Sequence, residues 1–447
     1  MGKGGLTIAV AGEAMATRPF SMYDEPEFTA ILELLRKADV SYAHLETNIG
    51  DINEINWAAK GEHKGSFFMS EPRIADDLKW AGIDIVSAAH NHCGDYGASG
   101  MLSTRRQCKR AGLACAGIGP DLETARAPEY LETKKGRIAL VSMTSGSPST
   151  DWASLAKGGT KGRPGVNPLR ATIKFVLDRE SATQIKEIGN KLKVIRPTGE
   201  DGEFALGWTN MGGVTNIFTS GEKCEVTSEV HEKDLERNCR SINEAKNMAD
   251  LVLVAHHCNF SEGPRGNDPP KFMQKAAKAF IDSGADMYFG HGWHRTLGIE
   301  VYKNKPIFYG LGNFFAQSEF VKNVPYDAYE SWGCDMDQFS TLTPKDIQQR
   351  KQTSAETWWS SVITEVCMED RQVVKMKFYP IEMGRDASPE MTLRRRTGDG
   401  PRHFTEGRPM MADKKSGKRI LERIQQLSAQ YGTKIEIENG YGIFSVK

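Results

Sequence analysis

The sequence predicts an α/β fold, and three observations predict it. Short apolar runs of strand length alternate with amphipathic helical stretches over residues 6–143, and the rhythm returns over 233–310. Polar residues capable of chemistry recur at the C-terminal ends of those runs, where ligands bind in α/β sheets. Between the two stretches, from Ser145 to about Val230, Gly and Pro content rises and the rhythm is lost.

In order, Leu6–Ala11 is the first strand, and Gly12-Glu13-Ala14-Met15 reads as the turn at its end. Glu27–Lys37 is a helix, with apolar Phe28, Ile31, Leu32, Leu34 and Leu35 and a proline at its start. Val40–Leu45 is a strand ending in His44-Leu45-Glu46, and Pro72–Ala81 is a helix with Pro in its first turn. Ile83–Ala88 is a strand ending in His90-Asn91-His92-Cys93-Gly94-Asp95. Ala98–Ala111 is helical, and Leu113–Gly117 and Arg137–Met143 are strands. Residues 145–230 read as an insertion over the site with one helix, Arg179–Lys193. Lys233–Asn247 is helical, Ala249–Ala255 is a buried strand before His256-His257, and Pro270–Ser283 is helical. Ala285–Phe289 precedes Gly290-His291-Gly292-Trp293-His294, and Leu297–Tyr302 and Pro306–Gly310 pair around a turn. A second insertion spans 316–360, Val362–Met368 and Gln372–Phe378 form a hairpin, and Ala412–Gln430 is a helix before a strand at Lys434–Glu438. The chain reads as one catalytic domain over 1–447, with insertions at 145–230 and 316–360 and an extension over 400–447.

Bulk properties exclude several classes. Lys plus Arg and Asp plus Glu are 58 each, so nothing draws the chain to nucleic acid or an anionic membrane. No apolar run reaches the roughly 18 residues of a membrane helix, and the N-terminus lacks a signal-peptide core. The eight cysteines are scattered, which suits a reduced, cytoplasmic protein. A homo-oligomer is compatible with all of this.

Of the 10 histidines, seven lie in strand-end turns: His44, His90, His92, His256, His257, His291 and His294. With Glu13, Glu46 and the Asn91 side-chain oxygen, they suit a divalent ion such as Zn, Mn or Fe. Two ions about 3.5–4 Å apart would share a carboxylate and acidify the water between them. The bland alternatives are hydrogen-bonded structural histidines, a Glu13 carboxylate that accepts backbone N–H bonds, and capping by Glu46 or Asn91. Arg18 and Arg295 either hold a substrate anion or form surface salt bridges. Trp152, Trp208, Trp332, Trp358 and Trp359 lie in or beside the insertions, as packing or as an aromatic substrate wall. Asn313 fixes a turn.

Gly12-Glu13-x-Met15-x-x-Arg18, Leu45-Glu46, Asn91-His92-x-x-Asp95-Tyr96-Gly97 and Gly290-His291-x-x-His294, with Tyr309-Gly310-Leu311-Gly312-Asn313-Phe314, together resemble the CapA family. Its namesakes serve poly-γ-glutamate capsule synthesis, and the family resembles calcineurin-like metallophosphoesterases. The likeness covers about residues 6–117, 250–315 and part of 361–385. It implies a metallophosphoesterase-like β-sandwich flanked by helices. It also implies that Glu13 ligates the first metal, Glu46 bridges, and Asn91, His256, His291 and His294 complete the shells. His92 would be the proton donor, with Asp95 orienting it. Here Glu13 replaces an Asp, His44 and His90 replace Asn, and His257-Cys258 replaces Trp-Gly. His44, His90 and His257 are therefore expected behind the ligands or facing substrate, with His44 at the catalytic centre. Trp293 is expected to place an aromatic ring beside the metals.

The expectation is a soluble hydrolase in which a metal-bound hydroxide attacks a phosphoester, amide or ester bond of a small anionic or aromatic molecule. One alternative is a metal-dependent lyase acting on an aromatic compound. Another is a non-catalytic factor in poly-γ-glutamate synthesis or export.

Overall fold

The computed structural model describes residues 5–56, 67–198, 202–207, 210–211, 214–260, 266–317, 325, 356–384, 405 and 407–446. Two sheets pack face to face. The first is built on β1 (Leu6–Met15), β2 (Val40–Leu45), β3 (Ile85–Ser87) and β4 (Ala114–Ala116), all parallel. The second is built on β5 (Glu129–Thr133), β6 (Gly136–Thr144), β7 (Leu251–His257), β8 (Met287–His291), β9 (Ile299–Tyr302) and β10 (Lys305–Phe308), in the order β9-β10-β8-β7-β6-β5. β11 (Asn313–Ala316) joins β1 in parallel, and the hairpin of β12 (Ser360–Glu369) and β13 (Gln372–Met383) extends the first sheet antiparallel to β1.

Three apolar layers follow from strand alternation. Ile8, Val10, Val40 and Tyr42 of the first sheet meet Leu140, Leu253, Met287 and Phe289 of the second between the sheets. The outer face of the first sheet, with Ala9, Ala11 and Val86, packs on α1 (Pro26–Lys37), α2 (Arg73–Ala81) and α3 (Gly97–Ala111) through Phe28, Ile31, Leu78 and Met101. The outer face of the second, with Val141, Val252 and Val254, packs on α5 (Glu232–Met248) and α6 (Lys271–Asp282) through Ile242, Phe272 and Phe280. A short helix, α4 (Leu122–Arg126), precedes β5. The C-terminal helix α7 (Lys414–Ala429) inserts Ile420, Leu421 and Ile424 into the inter-sheet core. Among the described residues, no helix is long and apolar enough to cross a membrane.

This is the α/β sandwich the sequence predicts, with three differences that matter. First, three strands run further than expected: β1 passes through Glu13, β7 through His257 and β8 through His291. Second, residues 171–230 form a sheet of their own. In it, Ala171–Leu177 pairs parallel with Val214–Ser220 and antiparallel with Glu225–Val230, and the helix Arg179–Lys191 follows the first strand. Ala171–Leu177 carries an apolar run, but Val214–Ser220 and Glu225–Val230 interrupt theirs with Thr, Ser and Glu, which weakens the signal by which strands are read. Third, β5 and a final strand at Tyr441–Ser445 were not anticipated. The expected second insertion falls mostly outside the described residues, as do Trp208 and Trp332.

One close approach holds the first sheet to the site. The Glu13 N–H donates to Gly312 O at 2.8 Å, and a Cβ on Gly12 would stand 1.9 Å from that same oxygen. Only glycine fits at 12. Gly12→Ala is therefore expected to lower stability by about 3 kcal/mol, by overpacking against backbone. A urea unfolding midpoint equal to wild type would refute this.

Candidate metal centre

The site lies where the inter-sheet layer opens at the C-terminal strand ends, and strand parity decides which side chains enter it. On β7, Leu253 and Ala255 face the inter-sheet core, so His257 does too. Val252 and Val254 face the helices, and His256 goes with them. His44 shares the parity of Val40 and Tyr42, and His291 that of Met287 and Phe289. Glu13 would face outward by simple alternation from Ile8 and Val10. However, β1 has two residues between Val10 and Glu13 where β2 has one between their partners Tyr42 and His44. That bulge turns Glu13 inward and leaves Ala14 on the helix side.

Two groups of candidate ligand atoms result, each drawn together within 4.8 Å: Glu13, Glu46 and His294, and His44, Glu46 and His257. Glu46 belongs to both. It is fully buried, and among the described residues neither of its carboxylate oxygens has a hydrogen-bond partner. Its Oε1 lies 3.9 Å from His257 Nε2 and its Oε2 lies 3.7 Å from His294 Nδ1. His257 Nε2 and His291 Nδ1 are likewise buried without partners. Glu13 Oε1 accepts the Gly292 N–H at 2.7 Å. Its Oε2 is 2.5 Å from His294 Nδ1 but lacks hydrogen-bond geometry, whereas Asn313 Oδ1 meets the same nitrogen at 3.0 Å. Buried oxygens and imidazole nitrogens converging without donors are what a divalent cation satisfies, so these residues fit one.

Supporting contacts orient the rings. Tyr42 OH bridges Ser87 Oγ (2.6 Å) and His291 Nε2 (2.7 Å). His44 Nδ1 meets Ser87 Oγ at 2.7 Å and its Nε2 meets His257 Nδ1 at 2.9 Å, while its ring stacks on His291 at 4.2 Å. Gly292, at φ 106°, turns the chain between the two histidines, and His294 itself takes φ 53°. A non-glycine residue held there stores strain of the kind found at functional sites.

The other expected residues divide. His92 Nδ1 is 2.9 Å from Asp95 Oδ2, which also accepts the Phe68 N–H, so the pair sits as the orienting role requires. Asn91 opens the same turn, and His90 Nδ1 accepts the His92 N–H at 3.2 Å. His256 was placed among the ligands, but the structure turns it away. Its nitrogens are taken by Ser145 Oγ (2.8 Å) and Tyr288 OH (2.7 Å), because adjacent strand residues face opposite ways. His257 stands where His256 was expected. Trp293 does not flank the carboxylates: it packs in the helix-side core and donates Nε1 to Phe260 O at 2.9 Å. The aromatic ring at the site is Trp358, 4.4 Å from the His294 ring, with its carbonyl accepting from Asn313 Nδ2. Arg295 is tied to Gly266 O at 2.5 Å, and Arg18 is exposed. Tyr42, Ser87, Ser145 and Tyr288 were missed. Only Tyr42, two residues before His44 on one strand face, carried a readable signal.

Electrostatics follow burial. Desolvation, with the neighbouring imidazoles, holds His44 well below the usual histidine range. Desolvation does the same to His257, and it brings His291 down to about 4. For Glu46, burial and then Glu13 push the carboxyl up, only partly opposed by His294. Burial alone would raise Glu13 and lower His294. Their mutual attraction, with Glu46 also acting on the imidazole, instead takes Glu13 down to about 2 and His294 up to about 10.

The sign of the pH effect follows for metal-free protein. The raised His294 adds stability fully present below its ordinary 6.5 and lost as pH rises through 10. The lowered Glu13 adds stability present above 4.5 and lost as pH falls through 2. Glu46, raised, works in the same direction as His294. The thermal midpoint of metal-free protein should therefore fall between pH 6.5 and 10. A midpoint that is flat or rising over that window would contradict the assignment.

The family model described as Bacterial capsule synthesis protein PGA_cap matches residues 7–318. Uncharacterized protein y4sH of Sinorhizobium fredii is 32% identical over 449 residues, covering 98% of this chain and 93% of its own. Capsule biosynthesis protein CapA of Bacillus anthracis is 25% identical over 238 residues, 53% of this chain and 41% of that one. PGA biosynthesis protein CapA of Bacillus subtilis is 44% identical over 73 residues, 16% of this chain and 18% of that one. The matched span runs from β1 to β11 and takes in every strand end that bears a candidate ligand. The chain belongs to the bacterial capsule synthesis family of CapA and its relatives.

Proposed function

We propose that the protein is a metal-dependent hydrolase with a centre of up to two divalent ions, acting on a phosphoester, amide or ester bond. The observation that carries this is Glu46: a fully buried carboxylate with two unpartnered oxygens, shared by two His/Glu groups. Glu13 and His294 would hold one ion and His257, through its unpartnered Nε2, the other, with Glu46 between them; His44 would join the second ion by giving up its contact with His257. His291 would serve through its unpartnered Nδ1. Bound there, Zn, Mn or Fe supplies Lewis acidity and lowers the pKa of water. The chain's own part is the proton. Asp95 holds His92 by Nδ1, so the ring exchanges its proton through Nε2, as a general acid toward the leaving group requires. The relatives named for capsule or PGA biosynthesis favour an amide among the candidate bonds.

A second reading is a lyase acting on a small aromatic compound, favoured by the Trp358 ring against His294. Turnover in 18O-labelled water separates the two, because a hydrolase puts one solvent oxygen per turnover into one of its two products and a lyase puts in none.

Metal analysis tests the centre itself. Glu46→Gln and His257→Ala should each lose metal, whereas His256→Gln should keep it. His92→Gln should keep metal and lose about 10²–10⁴-fold in turnover. Metal loss from His256→Gln equal to that from His257→Ala would overturn the ligand assignment, and purified protein without a divalent ion would overturn the hydrolase reading.

A further inference from the structure

A cavity lies outside the metal centre, lined by none of its candidate ligands. It opens among α4, α5 and the segment that follows β6, and encloses about 270 Å³, near the low end for small-molecule sites. Four guanidiniums line it (Arg126, Arg163, Arg170 and Arg237) against one carboxylate, Asp234, so the lining carries an excess of three positive charges.

Two of the arginines are spoken for. Arg170 grips Asp234 in a fork, Nε to Oδ2 at 2.6 Å and Nη2 to Oδ1 at 2.7 Å, and lies 5.5 Å over the Trp152 ring. Arg163 donates to the carbonyls of Trp152 and Ser149. The other two are not matched. Arg237 Nη1 is 3.9 Å from Asp234 Oδ1, an oxygen already engaged by Arg170. Arg126 has no hydrogen bond and no ion pair among the described residues; it is partly buried, repelled by Arg237 and Arg240 and drawn from further off by Glu123 and Glu244. Like charges gathered in a partly desolvated hollow repel one another, and folding alone gives no reason to place them there. A planar guanidinium fork matches carboxylate and phosphate oxygens, and Trp152 offers a flat apolar wall.

From this we infer that the cavity is a second binding site, separate from the metal centre, for a small dianion whose negative charges Arg126 and Arg237 receive. It adjoins the centre through Trp152 Nε1, which donates to Ser147 O at 3.1 Å, and Ser147 Oγ, which donates to His90 O at 2.9 Å.

Isothermal titration calorimetry on the full-length, metal-loaded protein tests this with two probes. Isophthalate represents the planar dicarboxylates and inorganic phosphate the phosphates. Saturable one-to-one binding of at least one probe is expected, weakened at least tenfold in Arg126→Gln and in Arg237→Gln. Arg126→Lys, which keeps the charge, should recover part of the loss, separating recognition from a folding defect. Binding should persist in Glu46→Gln. Absence of binding by both probes at millimolar concentration would overturn the inference. So would binding that is unchanged in both arginine variants, or that disappears in Glu46→Gln.

Discussion

The structure depends on one expense: a carboxylate, Glu46, sealed at the mouth of the sandwich with no donor for either oxygen. Removing an ionised carboxylate from water costs several kcal/mol even after relaxation, and a nearby cation must offset it. Among the described residues, the positive group that closes on it is His294, 3.7 Å away and shared with Glu13. One imidazolium cannot neutralise two carboxylates, so Glu46 is driven toward its protonated form. The surrounding architecture keeps this arrangement in place. Gly12 lets β1 touch the turn at Gly312, Gly292 lets the chain reverse before His294, and Asn313 Oδ1 holds the His294 ring at Nδ1.

Strand parity then selects among the histidines. His256 and His257 are neighbours in sequence and chemically identical, yet they end in different layers. One is satisfied by Ser145 and Tyr288 against the helices, and the other faces Glu46 between the sheets. The bulge in β1 does the reverse for Glu13, rescuing a residue that plain alternation would have turned outward. A single-residue slip in either strand would exchange ligands for packing residues, so the site is as sensitive to register as to residue identity.

Much of this was legible in the sequence. The alternation of elements, the clustering of histidines at strand ends and the Glu46 and His294 positions are all carried by local pattern. What was not legible depended on strand length and on partners distant in the chain. Reading β7 as ending at Ala255 put both of its histidines in a turn, where parity says nothing, and favoured His256 over His257, the one that faces Glu46. The same error affected Trp293, taken as a wall of the site from its place beside His294. A residue next to a ligand in sequence need not be next to it in space once a positive-φ glycine has turned the chain. Trp358, which does touch His294, is separated from it by a long stretch mostly outside the described residues. The 171–230 sheet escaped notice because two of its strands break their apolar residues with Thr, Ser and Glu, and the partners of Ala171–Leu177 lie some 40 or more residues further along the chain.

The composition of the centre bears on what it can bind. His44 and His257 are kept neutral by burial, so they could ligate an ion without adding negative charge. Only Glu13 and Glu46 would counter it. One divalent ion would therefore leave a roughly neutral centre, and two would leave it positive, in a mouth of low dielectric where that charge is weakly screened. An imidazole-rich, carboxylate-poor centre of two ions would thus attract anionic groups and stabilise negative charge as it develops on a reacting oxygen. The number of ions held is then the quantity that decides between a centre suited to anionic esters and amides and one suited to neutral aromatic compounds, whose rings Trp358 would receive at the rim.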